Sequence, residues 1–417
     1  MFKNNQTDII IEYFRQHKNN KPLCYFVVPS IIGYSGDAVN ERQLAKALSK
    51  FFKLRIYSFV QITRLCKYAN RNYIASAKKE VGLMLLLPTF IFASMLSIII
   101  MILSSFIIAV LSILEKPKLI YVRTTLKALP FIWLRRFHKG KVIVKIPSII
   151  EDEMRGSIYK SFPLDEMIFR AFLRCIDRYV IAHADWVAVA TFTFYRELVR
   201  RRGVKSKNPP ILLPAGVDVS KITKIIKNSE KKADESKIIV GFIGSLEWWQ
   251  GVDILAKACS IVKNKFPNIK LLIIGSGNWK VLSLVESICK KENLDYEITG
   301  YLPHEEALKR LREVDVMVLP SRRISTTESN IPIKVIEAWA LGIPVIVTRH
   351  KVFLESGIRD YEDVIFCEPH PLSVANAILT FLNNPVLREK LKVNGFRLAL
   401  QFDYNRIAKK LLKIFEN

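Results

Sequence analysis

Lys334 and Glu337 stand three residues apart, so a helix would carry an ammonium and a carboxylate on one face. That pairing suits a phosphate ester bearing hydroxyls, because the ammonium donates to phosphate oxygens and the carboxylate accepts from hydroxyls. Local signals favour the helix: Pro332 can open it, Gly342 ends it, and Pro344 starts a β-branched run. The apolar run 314–320 before it reads as a strand, and Arg322, Arg323, Glu328 and Ser329 lie on the polar loop between. In an open α/β sheet, a helix start at the carboxyl end of a strand is where anionic ligands bind. An ordinary strand-helix-strand unit with a solvated Lys and Glu accounts for the same residues, so the rest of the chain must decide.

Other turns would bring backbone amides close to a ligand. Residues 29–37 follow an apolar strand and hold Gly33 and Gly36, with Asp37 ahead of a helical pattern at 39–48. Asp37 there caps the helix or faces the ligand as an acceptor. Residues 241–253 join a strand to a helix through Gly244, Ser245 and Gln250, and Gly275-Ser276-Gly277 repeats the arrangement. Lys280 stands where a dinucleotide fingerprint has its third glycine, which disfavours a nicotinamide enzyme. There is no glycine loop ending in Lys-Ser or Lys-Thr, no paired-histidine zinc helix and no Gly-x-Ser-x-Gly elbow. The six histidines are dispersed, which suits surface or core positions better than catalysis. Glu151-Asp152-Glu153 reads as a solvated charge run, with metal binding or a base as the alternative.

The elements that must position these loops form two series of alternating strands and helices, the signature of doubly wound sheets. The first holds strands at 23–28, 54–60, 119–123 and 142–146; the second holds them at 238–246, 269–275, 296–300, 314–320, 344–348 and 363–367. Residues 220–237, dense in Lys, Glu, Ser and Asp, read as a hinge. With 417 residues, two domains are expected. The six cysteines show no metal-ligand spacing and mostly sit in apolar runs, which suits a reducing setting.

A formal charge of +26, from 64 basic and 38 acidic residues, points to an anionic partner. No aromatic-and-basic recognition motif accompanies it, which argues against nucleic acid and leaves a lipid surface or a phosphorylated substrate. Residues 81–114 contain no charged side chain. Strands on both sides of that stretch read as one buried sheet, so a single crossing is disfavoured. A helical hairpin or a helix within one leaflet is expected instead, with Lys67, Arg71, Lys78 and Lys79 before it and Lys116, Lys118, Lys127, Arg135 and Arg136 after it meeting anionic headgroups. A pair of core helices is the alternative.

Taken together, the loop at Gly33, Gly216-Val217-Asp218, the Gly244 loop, Gly275-Ser276-Gly277, the 334–347 segment and Phe402-Asp403-Tyr404 resemble the retaining glycosyltransferases of family 4. The likeness runs over most of the chain and is strongest at 238–383. It implies an α/β protein of GT-B architecture, with two Rossmann-like domains facing a cleft. An acceptor-side domain would take residues 1–220, including the membrane-associating insert 81–114, and a hinge would take 221–236. A donor domain at 237–400 and a closing helix at 401–417 would follow.

The resemblance further implies retaining, metal-independent transfer from a nucleotide sugar, with no cofactor. Residues 81–114 suit a lipid-linked glycan or glycolipid acceptor at the cytoplasmic membrane face, with a soluble acceptor or a non-catalytic binding protein as alternatives. Glu337 matches the glutamate that grips the nucleotide ribose, while Ser329 stands where that family has its first glutamate and Glu328 lies beside it. Ser245 and Gln250 replace the usual Arg and Lys, which leaves Lys334, Arg322 and Arg323 as candidates for the diphosphate. On this reading Lys334, Glu328 and Asp37 serve the reaction, and Gly33, Gly36, Gly244, Ser245, Gln250, Gly277, Arg322, Ser329, Ile333 and Glu337 hold the donor.

Overall fold

The computed structural model describes residues 21–28, 36–61, 84–89, 95–149, 163–228 and 236–416. The chain divides into two compact units, Met1–Leu213 with Ile407–Asn417, and Pro214–Arg406.

In the first unit, seven parallel strands lie in the order β3-β2-β1-β4-β5-β6-β7. They are β1 (Leu23–Val28), β2 (Lys53–Gln61), β3 (Met84–Thr89), β4 (Leu119–Arg123), β5 (Lys141–Lys145), β6 (Trp186–Val189) and β7 (Ile211–Leu212). The helices are α1 (Gly36–Leu48), α2 (Met95–Glu115), α3 (Thr125–Trp133), α4 (Arg135–His138), α5 (Pro163–His183) and α6 (Phe192–Arg202). Central strands such as β1 and β4 are near-continuous apolar runs because helices cover both faces of a parallel sheet. Thr191 caps α6 by accepting from the Phe194 amide, and Gly203 closes it at φ +65°.

The second unit holds six parallel strands in the order β10-β9-β8-β11-β12-β13. These are β8 (Ile238–Ile243), β9 (Ile269–Ile274), β10 (Asp295–Ile298), β11 (Val316–Leu319), β12 (Val345–Thr348) and β13 (Ile365–Cys367). Around them lie α7 (Val219–Asn228), α8 (Val252–Lys263), α9 (Trp279–Lys291), α10 (His304–Leu311), α11 (Ser325–Ser329), α12 (Ile333–Ala340), α13 (Lys351–Glu355), α14 (Pro371–Asn383) and α15 (Pro385–Ala399). The last helix, α16 (Tyr404–Glu416), joins the first unit from Ile407 onward. Its start is tied to the second unit, where Val217 donates to Phe402 O at 2.9 Å and Tyr404 donates to Val217 O at 3.1 Å.

Three expectations are corrected. The change of unit falls at Leu213, ahead of the expected hinge at 221–236. The first part of that segment is α7, whose Ile222 and Ile225 are buried in the second core. Its lysines are the wet face of an amphipathic helix, so composition alone mistook a helix for a linker. Within the apolar stretch, Met84–Thr89 is an edge strand paired with Ile56–Gln61, so among the described residues a strand stands where one arm of a helical hairpin was expected, and the helix there is α2. An apolar run of that length carries no period that separates strand from helix. Of the basic flank, Lys127 is buried within α3, and Arg135 is held by Asp185. Among the described residues, no helix is long and apolar enough to cross a membrane.

Candidate active site

Strands β8, β9 and β10 lie side by side in register, so the loops after them begin together. Hydrogen bonds then stitch loop to loop. Gly244 donates to Ile274 O at 2.9 Å, Leu246 to Ser276 O at 3.1 Å, and Asn278 to Leu246 O at 2.8 Å. Bridges pair Leu246 with Gly277 and Gly275 with Gly300. Gly244 and Gly275 adopt φ +131° and +138°, which side chains rarely reach, and a Cβ on Gly275 would lie 2.1 Å from Gly244 O.

Below this rim, α12 starts at Ile333 after Pro332, and Lys334 in its first turn reaches up beneath the Gly244 loop. A Cβ on Gly244 would lie 2.4 Å from Lys334 Nζ, so only glycine leaves the ammonium its place. Lys334 Nζ donates to Gln250 Oε1 at 3.1 Å and lies 4.6 Å from the centre of the Phe242 ring. Burial of that ammonium pushes its pKa down to about 7, against the pull of Glu337. The nitrogen thus changes charge near neutrality, poised to hold a proton more tightly once an anion arrives.

Glu337, one turn along α12, is buried, and its Oε1 lies 2.6 Å from His304 Nε2 at the start of α10. The structure therefore brings Lys334, Glu337, Gly244 and Gln250 together at the carboxyl end of the second sheet, with Ser245 and Gly277 on the stitched loops and Ile333 opening α12.

Several other expected residues have protein partners of their own. Arg322 holds Asp253 through both nitrogens, at 3.0 and 2.6 Å, and stacks over Trp248 at 4.8 Å. Arg323 Nη2 donates to both oxygens of Glu368, at 2.9 and 2.8 Å. Glu328 accepts from the Lys351 amide at 2.7 Å and approaches His350 Nδ1 at 3.3 Å, so its carboxylate serves the start of α13. Burial raises its pKa, but those partners outweigh burial and hold it below the usual value. Ser329 is buried at the end of α11. Gly36 and Asp37 open α1 in the first unit, and Gly33 lies outside the described residues.

Sequence reasoning missed two histidines. His304 supports Glu337, and His350 Nε2 lies 2.7 Å from Ser321 Oγ while its other ring nitrogen faces Glu328. Ser321 and His350 are only 3% and 2% exposed, so this row braces the loops after β11 and β12. Nothing local in the sequence marks either partner, because each pair is closed by the fold. Exposed Trp279 and Tyr301 were also missed, though an aromatic just past a turn at a strand end is a readable signal for a planar ligand.

The first unit holds a buried charge cluster at the ends of β4 and β5. Glu41 of α1 accepts from Arg123 Nη1 at 2.9 Å, Lys145 Nζ at 3.2 Å and Tyr121 Oη at 3.2 Å. Next to it Thr124 sits at φ +86°, a strained value for a β-branched residue. Burial, and then Arg123, push Lys127 down to about 7.

Residues 223–397 match the family model described as Glycosyl transferases group 1. The chain is 28% identical over 176 residues to an uncharacterized glycosyltransferase of Methanocaldococcus jannaschii, covering 42% of this chain and 47% of the relative. It is 25% identical over 228 residues to the N,N'-diacetylbacillosaminyl-diphospho-undecaprenol alpha-1,3-N-acetylgalactosaminyltransferase of Campylobacter jejuni, covering 53% and 57%. A phosphatidyl-myo-inositol mannosyltransferase of Propionibacterium freudenreichii is 23% identical, covering 49% and 50%. The chain thus spans about half the length of these curated relatives. The structure of Anabaena HepE in complex with UDP superposes with a TM-score of 0.71 at 12% identity, covering 94% of this chain and 99% of that one. The fold is GT-B, as in such neighbours.

Proposed function

We propose, from the premise that residues 223–397 form a Glycosyl transferases group 1 domain, that this protein moves a sugar from a nucleotide-sugar donor to a lipid-linked glycan or glycolipid at the cytoplasmic membrane face. One observation carries the reading. Where Ser245 and Gln250 stand in place of the expected basic pair, the Lys334 ammonium reaches the same loop from below, 3.1 Å from Gln250. It is the replacement cation for the donor diphosphate, helped by the amides that open α12. Arg322 and Arg323, already committed to carboxylates, lend shape to the rim.

In this reaction the bond from C1 of the sugar to the diphosphate oxygen breaks, and the acceptor oxygen bonds to C1. Retention requires the acceptor to enter on the face the diphosphate leaves, which puts its hydroxyl proton within reach of the departing oxygen. Charge grows on that oxygen as the bond breaks, so a cation beside it stabilises the transition state more than the bound donor. Lys334 supplies this charge without a metal. Glu337 accepts from the ribose hydroxyls, and Trp279 and Tyr301 offer faces for the base. The Campylobacter and Propionibacterium relatives, named for undecaprenol- and phosphatidylinositol-linked acceptors, support a lipid-borne acceptor here.

The test is transfer by purified protein across a donor panel, with lipid-linked and water-soluble acceptors and a chelator present. Chelator-resistant transfer to the lipid-linked acceptor is expected. Absence of any nucleotide-diphosphate binding removes the reading, and transfer to soluble acceptors alone removes its lipid half.

His304 has a separable role as a positioning residue. His304→Ala leaves the buried Glu337 carboxylate without this partner, and the donor KM should rise roughly 5- to 100-fold, the cost of an unmet buried acceptor. Because the ribose is remote from C1, kcat should change little, and His304→Gln should recover part of the loss. A fall in kcat with unchanged KM would contradict the assignment.

A further inference from the structure

We propose that the outer face of α2, together with Trp133 and Phe137 beside it, docks onto an anionic phospholipid leaflet; this deepens, and rests on, the membrane-surface reading above.

Helix α2 is built inside out. From residue 100 onward its exposed positions are Leu103, Phe106, Ile107, Val110 and Leu114, spaced to form one stripe. Leu103, Ile107 and Leu114 are 57%, 64% and 75% exposed. Ser105 and Ser112 face inward instead, where Ser105 donates to Met101 O at 2.8 Å and Ser112 to Ala109 O at 2.6 Å, and Ser104 is half-buried. A soluble surface helix shows the opposite order. Single exposed apolar residues are ordinary, but a continuous stripe of them marks a surface that is covered in use.

Helices α3 and α4 pack beside α2, and they extend the stripe with Trp133 and Phe137, 56% and 61% exposed. The charges around this patch identify the occupant. Lys116, Lys118, Arg136 and Lys139 are exposed, whereas Glu115, the acid that closes α2, is bound by Arg55 and the Tyr25 hydroxyl. An apolar stripe with tryptophan at its margin and a basic rim is what a helix lying in the headgroup layer requires. A second copy of the chain is a poorer fit, since a two-fold contact would set one basic rim against another. The sequence places the apolar stretch at the membrane as a whole; the structure narrows contact to one face, with β3 kept in the sheet and Ser105 and Ser112 turned to the protein.

The test is co-sedimentation of full-length protein with vesicles of phosphatidylcholine alone or equimolar phosphatidylcholine and phosphatidylglycerol. Wild type should bind the anionic vesicles, and binding should fall with added salt. Ile107→Glu and Leu114→Glu replace exposed side chains, so the fold is retained, and each should weaken partition about tenfold or more. Lys116→Glu with Arg136→Glu should abolish the preference for anionic vesicles. Nucleotide-diphosphate binding measured without vesicles reports on the donor reading separately and should be unchanged in every variant. Wild type that does not bind vesicles, or variants that bind as well as wild type, would overturn the proposal. So would a dimer in solution that Ile107→Glu dissociates, which would make the stripe a contact between copies.

Discussion

Lys334→Ala should lower the transfer rate by roughly 10²–10³-fold, the range found when one preorganised donor to a developing oxyanion is removed. The protein should remain folded, because the Lys334 ammonium contacts an amide oxygen and an aromatic ring, and Glu337 keeps His304 as its partner. Nucleotide-diphosphate affinity should fall less than the rate, since the diphosphate gains charge only as the glycosidic bond breaks. Gly244→Ala should approach the same loss by another route, because its Cβ would lie 2.4 Å from Lys334 Nζ at a φ of +131°. A pH signature separates charge from shape. With the free ammonium at about 7, an arriving diphosphate raises that pKa and binding takes up a proton. Affinity should therefore be highest below pH 7 and fall up to about tenfold per pH unit above it, until the bound form also titrates. Calorimetry in buffers of different ionisation enthalpy reads the proton directly. Lys334→Ala should remove both the proton uptake and the slope, and a slope that survives in Lys334→Ala would assign the titration to another group.

Glu41→Gln should destabilise the first unit by about 3–5 kcal/mol, the usual cost of removing one partner from a buried ion network. The substitution keeps the size of the side chain, so the loss reports charge. Arg123 and Lys145, 5% exposed each, would lose the negative charge they share. Hydrogen exchange resolves the effect by unit. Amides of β4 and β5 should exchange faster, while those of β11 and β12 keep their protection. Equal protection in β4 and β5 before and after substitution would mean that other partners neutralise the two cations.

Much of the second unit was legible in advance because buried parallel strands are short β-branched runs between turn residues. All six expected strands form there, with ends one to three residues short where glycine or proline turns away, as at Gly244 and Pro320, while β10 starts one residue early. The Lys334–Glu337 face was legible for the same local reason, since both residues lie on one helix. In the first unit β3 was hidden inside an apolar run, and β6, four residues long, follows α5 with little polar punctuation. The partners of charged groups were not legible at all. Arg322 reaches Asp253, His304 reaches Glu337, and Glu41 reaches Lys145, each across many residues of chain. Nothing in the spacing separates an arginine free to meet a phosphate from one already bound to a carboxylate.

The stitched rim also limits how this domain can change its donor. Leu246 pairs with Gly277, and Gly275 pairs with Gly300, so the three loops share one set of backbone bonds. Lengthening any one by a residue would unzip its neighbours, and even a methyl at Gly275 meets the Gly244 carbonyl. New donor preferences are therefore accessible mainly through side chains that stand on the rim, such as Trp279 and Tyr301, and not through loop length. A mutational library for altered donor use should hold 244–246, 275–277 and 300 constant, and vary what projects from them.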